Sequence, residues 1–182
     1  MPELPFSPDS SPSERLASLD DLLLYRLGQL TSKAGAMVVR LCEGGHGITR
    51  REWAVLAQLH DQPAGLLPSE LAERMFRDRA RTSRSLSALR AKGLIERSLL
   101  PHDRRSARVR LTPAGEAMYQ VLMPQIRSIN ARILEVLERH EKQALDQMLE
   151  RLRARSQTLL DEMEPALPKA NRRQGRRAGP WP

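Results

Sequence analysis

A single cysteine, Cys42, leaves this 182-residue chain without a disulfide of its own and without the thiols for a Cys-rich metal site, a usage that suits a reducing compartment. The first ten residues, M-P-E-L-P-F-S-P-D-S, have neither the basic start nor the apolar stretch of a secretory leader. Apolar runs long enough to cross a bilayer are missing too, so the expected location is cytoplasmic and no membrane partner is expected. Catalytic equipment is equally scarce. There is no nucleophile set beside a base and no glycine loop that would cradle a phosphate. The four histidines, His46, His60, His102 and His140, stand far apart, in no ligand spacing such as H-E-x-x-H. An enzyme, a metal site and a bound cofactor are therefore not expected.

What the chain does have is positive charge in one place. Between Ala72 and Arg110 stand twelve Lys and Arg (Arg74, Arg77, Arg79, Arg81, Arg84, Arg90, Lys92, Arg97, Arg104, Arg105, Arg108 and Arg110) against four acids (Glu73, Asp78, Glu96 and Asp103). That excess equals the formal net charge of +8, so the rest of the chain sums to zero. Charge concentrated in this way favours a binding face for a polyanion over general solubility.

The pattern around that segment predicts a mainly α protein with a small two- to three-stranded β wing. Apolar residues at Leu16, Leu19, Leu23, Leu27, Leu30, Ala34, Met37 and Leu41 repeat at three and four, which describes one long helix ending at Gly44-Gly45 whose sticky face asks for a partner. Thr49-Arg50-Arg51-Glu52 has capping-box spacing and opens a second helix, to about His60, with Trp53, Leu56 and Leu59 inward. Asp61 to Gly65 is a turn, and Pro68 suits the first position of a helix running from Ser69 to Phe76 that buries Leu71, Ala72 and Met75. Asp78 is placed to cap the next helix, which turns Thr82, Leu86 and Leu89 inward, shows Arg81, Ser83, Arg84, Ser87 and Arg90 outward, and stops at Gly93. Short polar side chains interspersed with Arg suit a helix in a DNA major groove, where bulk would hold it off and Arg can bridge guanine or a phosphate. From Leu94-Ile95 a strand begins, and Ala107, Val109 and Leu111 alternate with Ser106, Arg108 and Arg110, so Pro101 to Arg105 forms the tip of a hairpin. Thr112 and Pro113 open another helix with a stripe at Met118, Leu122, Ile126, Ile129, Ile133 and Leu137, bent by Pro124. A last helix from about Glu141 carries Leu145, Met148, Leu152, Ser156, Leu159 and Met163 at spacings of three and four. Residues 1–14 read as a flexible arm and 165–182 as a disordered basic tail, either a solvated end or extra phosphate contact.

Two short helices followed by an Arg-loaded hairpin make a helix-turn-helix with a wing. The order long helix, capped helix, S-E-L-A-E-R, recognition helix ending L-R-A-K-G-L-I-E-R, wing D-R-R-S-A-R-V-R-L-T-P-A-G and two long helices resembles the MarR family of dimeric winged-helix transcription regulators, over about Leu16 to Met163. The resemblance implies a winged helix-turn-helix domain over 48–112 and a helical dimerisation domain from 15–45 and 113–164, with a small-molecule pocket between them. It implies that Ser83 and Arg84 match the Thr-Arg pair with which the family's recognition helix contacts DNA, that Arg105 matches the wing-tip Arg, and that Asp103 matches the acid orienting it. Arg77, Arg79, Arg81, Ser87, Arg90 and Arg104 complete the expected DNA face. Ser87 and Ala88 stand where many members have Asp-Arg, while Arg77, Arg79 and Arg81 crowd the start of the helix.

The expected function is a homodimeric, sequence-specific regulator, a repressor of a near-palindromic operator in double-stranded DNA, relieved by a small molecule for which an aromatic or phenolic compound and a drug-like lipophile both stay open. Other readings stay open: a helical interaction protein whose basic middle binds nucleic acid or an acidic partner without reading sequence, a solvated helix face in place of the DNA face, and a charged hairpin tip at Arg104 and Arg105 that keeps an edge strand soluble. Trp53 and Tyr25 either line an effector pocket or simply pack. Cys42 stands near a helix C-terminus beside Glu43, where dipole and acid both disfavour the thiolate a peroxide sensor needs.

Overall fold

Residues 11, 18–75, 79–100 and 103–163 are described by the computed structural model, with backbone alone at 99, 100 and 103–106. The chain divides into two units, Met1–Ile133 and Leu134–Pro182. Its helices are α1 (Leu23–Val39), α2 (Arg50–His60), α3 (Pro68–Arg74), α4 (Arg79–Ala91), α5 (Pro113–Leu134) and α6 (Arg139–Met163). Strands β1 (Ile95–Leu100) and β2 (Asp103–Leu111) lie between α4 and α5.

The single long helix expected from Leu16 is interrupted. A 3₁₀ turn occupies Leu19–Asp21, Leu22 is extended at φ −70° and ψ 125°, and α1 starts only at Leu23. The cause is local. The Asp21 carboxylate accepts from the backbone N–H of Ser18 at 2.9 Å and from its hydroxyl at 3.0 Å, closing a turn that competes with helix propagation. At its other end α1 widens into a π-helical turn over Arg40–Gly45, followed by Gly47 at φ 64°. The Ile48 N–H then donates back to the Cys42 carbonyl at 3.1 Å, burying both side chains.

The Thr49 capping box forms as its spacing predicts: the Glu52 N–H donates to Thr49 Oγ1 at 3.1 Å and the Thr49 N–H donates to Glu52 Oε2 at 2.7 Å. α3 runs from Pro68 and ends at Arg74, short of the expected Phe76, which lies outside the described residues. It buries Leu71, Ala72 and Met75. α4 ends in a Schellman motif: Gly93, at φ 70°, donates to the Arg90 carbonyl and Leu94 to the Leu89 carbonyl, both at 3.0 Å.

β1 and β2 pair antiparallel, Ile95 opposite Leu111 and Arg97 opposite Val109, with a bulge after Leu99. A third segment joins by one residue: Leu66 and Val109 exchange backbone hydrogen bonds of 3.0 and 2.8 Å. Gly65, at φ 77°, makes this possible, because a Cβ there would stand 2.7 Å from the Val109 carbonyl oxygen. Thr112 caps α5 by accepting from the Gly115 N–H at 3.1 Å while its hydroxyl donates to the Gly93 carbonyl at 2.7 Å. Gly115 has no room for a side chain against the Leu94 carbonyl. α5 runs unbroken past Pro124, and α6 begins at Arg139, two residues before the expected Glu141. Leu137, expected on the α5 stripe, falls in the turn between them.

The core of the first unit gathers Ile48, Val55, Leu56, Leu59, Leu71, Leu86, Leu89, Val109 and Leu122. Each contributes roughly 2 kcal/mol of apolar burial. α2 and α5 are tied further by His60, whose ring stacks on Tyr119 at 3.8 Å and whose Nδ1 lies 2.9 Å from Glu116 Oε2.

Candidate nucleic-acid interface

Helical periodicity splits α4 cleanly. Thr82, Ser85, Leu86 and Leu89 are buried, and Arg79, Arg81, Ser83, Arg84, Ser87 and Arg90 are exposed on the other side. Ser85, which sequence reasoning left unassigned, turns inward and donates to the Arg81 carbonyl at 3.1 Å. Among the described residues Arg79, Arg84 and Arg90 form no ion pair. An unpaired, exposed guanidinium carries a fork of N–H donors suited to phosphate oxygens or to the acceptor edge of guanine. Asp103, Arg104 and Arg105 belong to β2 by their backbone, so the expected hairpin stands next to this helix in the chain. Their side chains, and Arg77 altogether, lie outside the described residues.

Arg97 belongs to this face although the sequence reading did not place it there. It is exposed on β1 and lines a groove of about 290 Å³ with Pro68, Ser69, Arg79 and Ser83, and a second of about 220 Å³ with Ser87 and Arg90. Part of the signal was available: Arg97 follows Ile95 by two, so strand alternation puts both on one side of β1.

Other cations of the basic segment serve the fold. Arg108 Nη1 donates to the Gly65 carbonyl at 2.7 Å and lies 3.8 Å from Glu70. Arg110 Nε donates to Glu96 Oε1, directly across the hairpin, at 2.7 Å. Lys92 Nζ donates to Glu52 Oε2 and to the Gly47 carbonyl, each at 2.8 Å. The +8 counted along the segment therefore overstates what faces a ligand.

A MarR-family model matches residues 46–106, from the residues preceding α2 into the second strand of the wing. The structure is similar to that of a probable transcriptional regulator from Pseudomonas aeruginosa, 30% identical, with a TM-score of 0.66 over 74% of this chain and 99% of that one. This chain belongs to the MarR family of transcriptional regulators. A MarR-family regulator from Silicibacter pomeroyi is 29% identical with a TM-score of 0.64, covering 76% of this chain and 92% of its own. The PcaV regulator of Streptomyces coelicolor, solved in complex with its natural ligand, is 25% identical with a TM-score of 0.62, covering 76% and 94%.

Within this MarR-family chain Cys42 is fully buried, and its thiol pKa is raised, first by burial and then by Glu43, with Arg50 opposing. Burial, which the sequence reading did not include, leads the causes that disfavour the thiolate. Among the described residues no group of three or more His, Cys, Asp and Glu is placed to hold a metal ion, and no helix is long and apolar enough to cross a membrane.

Proposed function

We propose that this MarR-family chain acts in the cytoplasm as a homodimeric, sequence-specific DNA-binding repressor. α4 enters a major groove with Arg79, Arg81, Ser83, Arg84, Ser87 and Arg90, joined by Arg77 at its approach. Arg104 and Arg105, with Asp103 as orienting acid, reach the flanking minor groove, where the negative potential favours a guanidinium. Two-fold symmetry then calls for a near-palindromic operator with half-site centres about 34 Å apart. The observation that carries this reading is the outward face of α4, where short serines alternate with arginines and no aromatic or large apolar side chain is exposed.

Dimerisation through 15–45 and 113–164 is supported by apolar surface that a lone chain leaves in water. On and before α1 these are Leu19, Leu22, Leu23, Leu24, Leu30 and Met37; on α6 they are Met148, Leu149, Leu152, Leu159 and Leu160. An aromatic or phenolic effector is supported by Trp53, whose indole Nε1 is buried with no hydrogen-bond partner among the described residues. A carboxylate or phenol oxygen would satisfy that donor. An effector that prefers one spacing of the two reading heads shifts the dimer away from the spacing DNA requires.

Footprinting on the promoter upstream of the chain's own gene, paired with sedimentation, tests the proposal. Expected are a dimer and two protected half-sites one helical turn apart. A monomer, or protection without phased half-sites, would contradict it and favour sequence-blind binding.

A further inference from the structure

Lys92 follows α4 directly and was counted with the basic segment, yet its ammonium, on a side chain 37% exposed, is held by two acceptors of the protein itself. Of its three donors, one goes to Glu52 Oε2 and one to the Gly47 carbonyl, acceptors 40 and 45 positions away. Glu52 is the capping residue of α2, its side chain only 5% exposed, and the same Oε2 also accepts from the Thr49 N–H. Gly47 closes the π turn at the end of α1. The end of α1, the start of α2 and the end of α4 thus converge on one cation. The same corner brings Gly35 of α1 against the Arg50 guanidinium at the start of α2.

We propose that Lys92 is a positioning residue of the reading head. Without touching the operator, it sets the tilt of α4 against the α1–α2 junction, and so passes the setting of α1 to the helix that enters the groove. This rests on the DNA-binding reading given above. The lever is mechanical. α4 is about 20 Å long, so a tilt of about 5° at the anchored end moves the other end, with Arg79, by nearly 2 Å, well beyond the roughly 0.5 Å range over which a hydrogen bond to a base edge is kept.

The test compares wild type, Lys92→Met, Glu52→Gln and the double variant for binding to the upstream promoter and to random duplex across a salt series. Lys92→Met is expected to weaken promoter binding about tenfold, to leave binding to random duplex nearly unchanged, and to keep the slope of log affinity against log salt. A phosphate contact would instead remove about 0.9 from that slope. Glu52→Gln, which keeps an acceptor for the helix cap and removes no cation, is expected to produce the same selective loss, and the double variant less than the product of the two. Should Lys92→Met fail to fold, Glu52→Gln carries the same expectation. Unchanged promoter binding in a variant, or a slope reduced by about one, overturns the positioning role while leaving the DNA reading intact. A wild-type protein that binds promoter and random duplex alike overturns the DNA reading and this inference with it.

Discussion

On the wing, Arg108 and Arg110 are held by a backbone carbonyl and by Glu96, whereas on α4 Arg84 and Arg90 stand exposed with no ion pair among the described residues. Both sets lie within one basic stretch and look alike in a charge count. They differ in whether the fold supplies an acceptor. A cation already matched by an internal oxygen stabilises the module and offers little to an outside anion. An unmatched one pays no desolvation until a polyanion replaces its water. Counting charge along a chain therefore bounds a binding face from above.

The sharpest way to break that contrast is Arg84→Ala. It is expected to weaken operator binding by about 2 kcal/mol, roughly thirtyfold, with the melting temperature unchanged; anisotropy titration and thermal unfolding would measure the two. Arg105→Ala comes next, with a loss of about tenfold and an intact dimer by sedimentation. Unchanged binding would count against the wing assignment. Arg108→Ala should show the opposite profile: a stability loss of about 1 kcal/mol in urea denaturation, mostly from the Gly65 hydrogen bond because its pair with Glu70 is long and partly exposed, with the salt slope of DNA binding preserved. A lost slope with preserved stability would move Arg108 into the interface.

The smallest effect concerns acid. The His60 hydrogen bond, then that of Gln120, lowers the Glu116 pKa below its ordinary 4.5. A depressed folded-state pKa gives stability that is present above pH 4.5 and lost as pH falls through the lower folded value. Glu116→Gln is therefore expected to be indistinguishable from wild type at the acid extreme and slightly less stable at neutral pH. Melting curves between pH 3 and 7 check the sign, and a variant relatively worse in acid would refute it.

Features set by neighbours in the chain were legible in the sequence. The Thr49–Glu52 box, the stop at Gly93, the Thr112-Pro113 start and the two faces of α4 each depend on residues within one or two turns. The break at Leu22 was also local, but the helical repeat masked the Ser18–Asp21 turn that competes with it. What escaped was decided across long separations. The Leu66–Val109 bridge, the clasp of Lys92 on Glu52 and Gly47, and the hold of Arg108 on Gly65 join residues about forty apart, and no spacing rule reports which cation finds which acceptor. Arg97 lay between these cases: alternation gave its side of the strand, but only the packing of β1 beside α4 put it at the face.

The central claim is that the exposed arginines and serines of α4, carried twice by a dimer, read base sequence. The most direct measurement is the ratio of affinities for the promoter upstream of the chain's own gene and for a scrambled duplex of the same length and composition at matched salt. The account expects the promoter to win by about a thousandfold or more; equal affinities would contradict it.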